Sequence, residues 1–173
     1  YNFFRENNSL NVKSEVKFKI TKLGVDLYNY YAESEEIYKD NNFFRFSSKT
    51  DQNKKEKYVN ISVNPSNGDL LIDGSSYKGK TDKENIVGTW WNHEIVKKKA
   101  QISAISGRVI EQTVTFVGKE DIKIGDKTFS ALHFNFKSSD ETLPDKKKLN
   151  TDIWYDEKTF LWIKAAFDKT GYW

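Results

Sequence analysis

The chain contains no cysteine and no methionine, and only two of its 173 residues are proline. The lack of cysteine excludes disulfides, thiolate metal sites, a cysteine nucleophile and a lipidated N-terminal cysteine from this sequence. No stretch approaches the roughly 18 consecutive apolar residues that indicate a membrane-spanning helix. Because there is no initiator methionine, we expect the chain to follow a segment that has been removed, such as a signal peptide.

Arginine is also scarce, with Arg5, Arg45 and Arg108 as the only examples. Lysine and arginine together number 28 against 25 acidic residues, and the net charge of +3 is too small to indicate a polyanionic partner. Proteins that read nucleic-acid bases commonly use arginine for bidentate contacts. We therefore predict that the protein does not bind nucleic acid.

Aromatic residues make up 15% of the chain, which favours β-structure because these side chains pack well on pleated surfaces. Leu10–Ile20 alternates between apolar and polar residues and predicts a strand with one face in water. Similar runs recur between turn residues such as Asp40-Asn41-Asn42 and Gly125-Asp126, whereas Asp51–Lys57 is predicted to be a loop. The pattern predicts a mainly β protein of about ten strands, forming one curved antiparallel sheet in a single domain over residues 1–173.

Gly88–Gly107 is the stretch that departs from the strand pattern. It opens with Trp90 and Trp91, continues through an amphipathic run and reaches three consecutive lysines that end at Lys99. We predict a short helical lid around residues 90–99 that covers the hollow of the sheet, with Trp90, Trp91 and His93 facing a ligand. The alternative is that the tryptophan rings fill the hollow as part of the core.

Five further aromatic residues are candidates for the wall of a ligand cavity. They are Tyr28, Tyr30, Phe134, Trp154 and Trp162. Tyr28 and Tyr30 belong to Val25–Lys39, whose first part is apolar on both faces, as expected of a strand that is covered on both faces or lines a cavity on one. The alternative interpretation for each of the five is the ordinary core of a β-rich domain.

The polar residues show no pattern typical of catalysis or metal binding. His93 and His133 are 40 residues apart without metal-site spacing, and His133 is expected to be solvated. Glu33, Glu35 and Glu36 are candidates for paired carboxylates, although cross-strand pairing with lysine is the commoner reason for such acids. We predict no catalytic residue, no metal and no cofactor, which favours a non-enzymatic protein.

Short motifs of aromatic and turn residues follow one another in a recognisable order. They are Gly24–Tyr30, Glu36–Tyr38, Phe46–Thr50, Thr89–Asn92, Ile102–Gly107, Val117–Glu120, Gly125–Lys127 and Asp152–Asp156. In this order they resemble a family of exported proteobacterial proteins of unknown function, over most of the chain. Ile102–Gly107 departs from the family's usual Leu-Asn-Thr-x-Thr-Gly, and the chain is expected to lack the first strand and signal peptide with which the family usually begins.

This resemblance implies a periplasmic location and a curved antiparallel half-barrel, similar to the LolA/LolB lipoprotein carriers, which hold acyl chains under a helical lid. We therefore expect a periplasmic, non-enzymatic protein that binds a lipid or another hydrophobic ligand in the hollow of the half-barrel. One alternative is a protein-interaction or scaffold module with a filled barrel and a periplasmic protein partner. Another is an enzyme that acts on a hydrophobic substrate. Fold alone does not decide among these functions.

Overall fold

A computed structural model describes residues 1–23 and 25–167 of the protein. The described residues are mainly β, as predicted, and they form thirteen strands in two largely antiparallel sheets of seven and six strands, neither of which closes into a barrel. The prediction of one curved sheet of about ten strands was wrong. The sequence of hairpins is interrupted between Thr81 and Val109 by turns and by strands of two and three residues, so the next long strand belongs to the second sheet.

The chain forms two compact units by its internal contacts. Unit 1 comprises Tyr1–Val87 and Ile102–Val109, and unit 2 comprises Gly88–Gln101 and Ile110–Trp173. The single domain expected over residues 1–173 stays a prediction.

Unit 1 contains a meander in which each strand pairs with its neighbours in the sequence. Its seven-stranded sheet consists of β1 (Asn2–Glu6), β2 (Ser9–Lys22), β3 (Val25–Lys39), β4 (Asn42–Gln52), β5 (Lys55–Val63), β6 (Leu70–Gly74) and β7 (Lys78–Thr81). The two-residue strand β8 (Ile86–Val87) lies in the same unit.

Two tight turns in unit 1 have consecutive residues with positive φ, as the commonest two-residue hairpins require. Asp40 and Asn41, with φ of 50° and 62°, connect β3 to β4 at the predicted turn. Asn53 and Lys54, with φ of 51° and 66°, connect β4 to β5. The predicted loop over Asp51–Lys57 was therefore wrong, because two strands continue through this polar segment and only two residues turn between them.

The core of unit 1 lies on one face of its sheet, which we call the inner face. Alternate residues of β4, β5 and β6 supply it, since successive side chains of a strand point to opposite faces. Its buried members are Phe46, Val59, Ile61, Leu70, Ile72, Val87 and Ile102. Burial of a large apolar side chain contributes about 1.5–3 kcal/mol, so this cluster is a major source of stability for the unit.

Unit 2 contains the second series of hairpins. It contains most of β9 (Ala100–Ile102) and β10 (Val109–Ile124) and all of β11 (Lys127–Ser138), β12 (Asn150–Asp156) and β13 (Trp162–Phe167). These strands are adjacent in the order β13-β12-β11-β10-β9. The turn predicted at Gly125-Asp126 connects β10 to β11, and Gly125 has a φ of 59°. Two short 3₁₀ helices occupy His93–Lys97 and Asp145–Lys147. No helix in the described part of the chain has both the length and the apolar character needed to cross a bilayer.

The structure shows no helical lid around residues 90–99, so this part of the predicted fold was wrong. Only the five residues His93–Lys97 are helical, and they form a 3₁₀ helix. A segment this short does not overcome the cost of starting an α-helix, and β-branched side chains such as Val96 lower helix propensity further. The backbone is extended again at Lys98, with φ of −92° and ψ of 141°.

The 3₁₀ helix is fixed within unit 2 by buried contacts. Ile95 is fully buried at 0% exposure. Gln112 of β10 donates hydrogen bonds from Nε2 to the carbonyl oxygens of Ile95 and Lys98, at 3.2 and 3.1 Å. These contacts resemble those of a core element more than those of a mobile cover.

Candidate functional site

The inner face of unit 1 is buried at one end and open at the other. Val12 of β2 is 2% exposed, whereas Val16, Phe18 and Ile20 on the same face are each 42% exposed. The alternation in Leu10–Ile20 predicted that these residues share a face, and their register with β3 confirms it. The apolar surface of the core therefore continues onto a part of the sheet that is open to solvent.

Two of the predicted ligand residues lie in this open part. Phe18 is opposite Tyr30 and Ile20 is opposite Tyr28 in the register of β2 and β3. The ring centroid of Phe18 lies 4.9 Å from that of Tyr30 and 5.5 Å from that of Tyr28. We call Val16, Phe18, Ile20, Tyr28 and Tyr30 the aromatic patch.

Hydrogen-bonded polar side chains of β4 border the aromatic patch. Gln52 is 6% exposed, and its Nε2 donates to the Tyr28 hydroxyl at 3.1 Å. Thr50 is 3% exposed and shares a hydrogen bond with the Tyr30 hydroxyl. Burial, together with the neighbouring Tyr28, raises the pKa of Tyr30 to about 12. The Tyr30 hydroxyl is therefore a neutral donor or acceptor at physiological pH.

A tight turn at Ser103–Gly107 lies on the inner face beside this border. The Ser48 hydroxyl donates a hydrogen bond to the carbonyl oxygen of Ala104 at 2.5 Å. Gly107 packs so closely that a Cβ added there would lie 3.1 Å from the Cα of Gly74. Arg108, the residue that follows, is therefore placed next to the inner face by a well-defined backbone.

Two half-buried cations result from this arrangement. Lys57 alternates with the buried residues of β5, and its Nζ donates to Gln52 Oε1 at 2.9 Å. Burial lowers the pKa of Lys57, and the positive charges of Arg108 and Lys55 lower it further. Burial also lowers the pKa of Arg108. Positive charge is thus concentrated beside the aromatic patch in an incompletely hydrated environment.

One carboxyl group of the acidic run in β3 is also buried on the inner face. Glu36 is 2% exposed, and its Oε1 accepts a 2.6 Å hydrogen bond from the Tyr38 hydroxyl. Glu35 lies on the opposite, outer face and forms an ion pair with Lys13 at 3.7 Å. The interpretation of cross-strand pairing with lysine therefore holds for Glu35, whereas Glu36 is a polar member of the core.

Two open depressions lie mainly on the outer face of the same sheet. The larger has a volume of about 570 Å³ and is lined by residues that include Lys13, Tyr31, Glu33, Glu35 and Lys49. The mixture of charges is typical of a solvated surface. Neither depression is lined by the predicted ligand residues.

In unit 2, the structure brings two of the predicted tryptophans together. The ring centroids of Trp90 and Trp162 are 6.1 Å apart, and the Tyr155 hydroxyl donates to the Trp90 carbonyl oxygen at 2.8 Å. Trp91 is half-buried. His93 stacks on Phe160 with 5.0 Å between centroids, and its side chain is 42% exposed.

The remaining two predicted residues lie on opposite faces of the unit 2 sheet. Phe134 contacts Phe116 and Tyr155, with centroid distances of 5.3 and 6.2 Å. In the register of β11 and β12, Trp154 lies opposite His133. Phe134 lies opposite Ile153, the residue that precedes Trp154. Phe134 and Trp154 therefore cannot form one wall of a single cavity on this sheet.

His133 is half-buried in a polar cluster, contrary to the expected solvated position. Its Nε2 lies 2.8 Å from Asp152 Oδ1, and its Nδ1 lies 3.3 Å from Glu120 Oε1. The same Glu120 oxygen accepts a 2.5 Å hydrogen bond from Trp154 Nε1. Within the part of the chain that the structure describes, no group of three or more histidine, cysteine or acidic side chains is arranged to hold a metal ion.

Comparison of the sequence with known protein families gave a match over nearly the whole chain. A family model described as a domain of unknown function, DUF6134, matches residues 1–172. The chain belongs to the DUF6134 family. Neither the curated proteins nor the solved structures gave a match. The predicted membership of a family of unknown function is confirmed at this level.

The inner-face cations of this DUF6134 domain were not among the predicted site residues. Lys57 was assigned to a loop, although it stands two residues before Val59 and four before Ile61 and therefore shares their face once the strand is extended. No sequence pattern indicates that Arg108 lies beside the inner face, because its position depends on the turn whose Gly107 packs against Gly74. Gln52 could have been found by the same alternation, which it shares with Phe46.

Proposed function

We propose that this DUF6134 domain is a non-enzymatic protein that binds a lipid or another hydrophobic ligand, and that the aromatic patch of unit 1 is the binding surface. The observation that carries the proposal is the exposure of Val16, Phe18 and Ile20, each 42%, on the face that elsewhere forms the core. Contiguous exposed apolar surface on a soluble domain commonly marks a ligand or partner site. The bordering hydroxyl and amide groups are the few polar contacts that such sites use to orient a ligand.

Exposure on the two faces of β3 supports the choice of the inner face. Tyr30 stacks with Phe18, and Tyr28 makes a tilted ring contact with it. The outer-face residues Leu27 and Tyr31 are 54% and 38% exposed, and Tyr31 lies among charged neighbours. An apolar ligand gains about 25 cal/mol for each Å² of apolar surface that it removes from water. The aromatic patch offers such surface, and none of its five residues carries a charge.

Binding is tested with the neutral fluorescent probe N-phenyl-1-naphthylamine. The wild-type protein is expected to bind it saturably, and Phe18→Ser is expected to weaken binding about tenfold, since burial of an aromatic side chain contributes roughly 1.5–3 kcal/mol. Tyr31→Ser is the matched control, because Tyr31 is similarly exposed on the outer face. Absence of saturable binding, or equal losses in the two variants, contradicts the proposal.

A periplasmic location and a relationship to the LolA/LolB carriers are further parts of this proposal, and both rest on the resemblance of the motifs. Fractionation of cells that express the complete coding sequence with a C-terminal tag tests the location. Recovery of the tagged protein in the cytoplasmic fraction contradicts it. An experimental structure of the domain with bound ligand, compared with the carriers, tests the relationship.

A protein-interaction module is the second candidate, and the edge of the unit 1 sheet favours it. All five residues of β1 are exposed, and Phe3 and Phe4 are 50% and 56% exposed. Exposed edge strands can accept a strand from a partner. Pull-down from the native host that yields a stoichiometric protein partner, lost on Phe4→Pro, supports this alternative over ligand binding.

A further inference from the structure

The first strand of the unit 1 sheet covers only part of its neighbour. The five residues of β1 pair with Ser9–Lys13, whereas β2 has 14 residues. Tyr1, the residue before β1, lies beside Ser14 if the same register continues. Among the residues that the structure describes, no strand pairs with Glu15–Phe18 on the side away from β3. We call Glu15–Phe18 the open edge.

The open edge differs from the opposite edge of the same sheet. There, β7 has only four residues, and it carries Lys78 and Lys80, both of which form ion pairs. Short strands and lysines are common protections of a sheet edge against unwanted pairing. The open edge contains neither proline nor glycine, and its Val16 and Phe18 are exposed apolar residues of the aromatic patch. A backbone edge beside exposed apolar side chains suits the addition of an extended segment from a partner.

The outer-face side chains of the open edge carry charges that the sheet does not neutralise. Glu15 lies opposite Glu33 of β3, and like charges directly opposite each other destabilise a strand pair. Lys17 lies opposite Tyr31. Within the described part of the chain, neither Glu15 nor Lys17 forms an ion pair. A neighbouring strand with a basic residue beside Glu15 and an acidic residue beside Lys17 would complete both contacts.

We propose that the open edge accepts an extended segment of a partner protein, which pairs antiparallel with β2 in line with β1 and carries a basic residue opposite Glu15 and an acidic residue opposite Lys17. Apolar residues of the segment would lie beside Val16 and Phe18, since alternate side chains of a strand share a face. This inference rests on the second candidate function, the interaction module, and does not depend on ligand binding. It adds a docking position and a partner chemistry to that function.

A second copy of the chain suits the open edge less well than a partner of different sequence. Antiparallel pairing of two copies about Lys17 would place this lysine opposite itself. Pairing about Phe18 would place Lys17 opposite Lys19 of the second copy. Both registers set lysine against lysine, which is unfavourable, whereas another protein can place an acidic residue there.

Two short peptides of equal composition test the inference. The first is Val-Thr-Val-Glu-Val-Lys-amide, whose antiparallel register places its glutamate opposite Lys17 and its lysine opposite Glu15. The second exchanges the glutamate and the lysine, and both carry fluorescein at the N-terminus for measurements of anisotropy. We expect the wild-type protein to bind the first peptide about fivefold more tightly than the second, because two opposite-charge pairs replace two like-charge pairs.

Exchange of the charges on the protein should reverse this preference. The variant that combines Glu15→Lys with Lys17→Glu keeps the net charge and should bind the second peptide more tightly. Lys49→Glu is the control, because Lys49 is exposed on the outer face of β4, an interior strand, and its replacement should leave the preference unchanged. An equal effect of Lys49→Glu overturns the inference, because it indicates a response to net charge alone.

Hydrogen exchange of the wild-type protein locates the bound peptide and decides the question if a variant fails to fold. Alternate amides of an edge strand point away from its neighbour. We therefore expect alternate amides of the open edge to exchange rapidly in the protein alone and at least about tenfold more slowly with the first peptide at saturation. Slow exchange of all these amides in the protein alone overturns the inference, because the edge is then already paired.

The other outcomes are equally decisive. Equal affinity for the two peptides, or no binding of either, overturns the inference, and a wild-type preference for the second peptide overturns the antiparallel register. A concentration-dependent dimer in sedimentation that protects the same amides assigns the edge to a second copy instead. Saturable binding of N-phenyl-1-naphthylamine survives all these failures, and its absence would leave a positive peptide result standing.

Discussion

The imidazole of His133 stacks on the indole of Trp154, with 4.2 Å between ring centroids and 19° between ring planes. Lys164 Nζ lies 4.2 Å from the centroid of the same indole. Trp154 is consequently only 6% exposed, although it belongs to the polar face of the unit 2 sheet. The two neighbouring strands, β11 and β13, thus each contribute a side chain that covers the indole of Trp154.

Removal of this stack should destabilise unit 2. We expect His133→Ala to lower the free energy of unfolding by about 1–3 kcal/mol, because it exposes the indole and leaves Asp152 and Glu120 without their imidazole partner. His93→Ala is the control, since that side chain is 42% exposed and should cost less than about 1 kcal/mol. Urea unfolding followed by tryptophan fluorescence measures both, and similar losses would show that the His133 cluster has no special role.

Gln112 should be required to hold the 3₁₀ helix. Its Nε2 donates to the carbonyl oxygens of Ile95 and Lys98, and its Oε1 accepts a 2.6 Å hydrogen bond from Gln101. Gln112→Leu should therefore lower the free energy of unfolding by about 2–4 kcal/mol, because it leaves buried polar groups without partners. Hydrogen exchange at the amides of residues 95–98 should accelerate in the same variant.

Thr113→Ala provides the comparison for Gln112, since Thr113 is the next residue of β10 and its hydroxyl contact with Ser139 is exposed. We expect its unfolding free energy to change by less than about 0.5 kcal/mol. If Gln112→Leu leaves exchange at residues 95–98 unchanged, the segment is held by packing of Ile95 alone.

Features of the fold that depend on local sequence pattern could be predicted. Features that depend on contacts between residues distant in the sequence could not. The strands and the turns at Asp40-Asn41 and Gly125-Asp126 could be predicted, because alternation and turn chemistry act over a few residues. The turn at Asn53-Lys54 was missed because it has no glycine and interrupts a polar run. This one error removed Lys57 from the predicted inner face, and with it the cationic side of the candidate site.

The division into two sheets was not predictable in the same way. A hairpin pattern specifies which neighbours pair, but it does not specify whether the strand after a long connection joins the same sheet. The open end of the inner face was equally hidden, because the alternation of Val12, Val16 and Phe18 is the same whether a residue is buried or exposed. Exposure depends on what packs over each position, and sequence periodicity does not contain that information.

Gly107 should tolerate no side chain. Its φ is 78°, a region that favours glycine, and an added Cβ would lie 3.1 Å from both the Cα of Gly74 and the Cγ2 of Ile72. Gly107→Ala should lower the free energy of unfolding by about 1–3 kcal/mol. Gly125→Ala is the control, because its φ of 59° is similar but nothing lies within 4 Å of an added Cβ. A cost equal to that of Gly125→Ala would show that backbone strain, and not the contact with Gly74, is responsible.

Glu35 should stabilise unit 1 in a pH-dependent manner. A hydrogen bond from Asn11, followed by the charges of Lys13 and Arg45, lowers the pKa of Glu35. The ionised carboxylate therefore favours the folded state, and its contribution is complete above the ordinary glutamate value of about 4.3 and disappears as the pH falls through the lowered folded-state value. Because the side chain is 27% exposed, we expect Glu35→Gln to cost only about 0.5–1 kcal/mol at pH 7 and nothing near pH 2.

Glu33→Gln is the control on the same face, since Glu33 forms no ion pair among the described residues and accepts a hydrogen bond from Tyr31. Urea unfolding of the three proteins between pH 2 and 7 distinguishes the cases: a Glu35→Gln deficit that persists undiminished at pH 2 means that lost packing, and not the carboxylate charge, accounts for it.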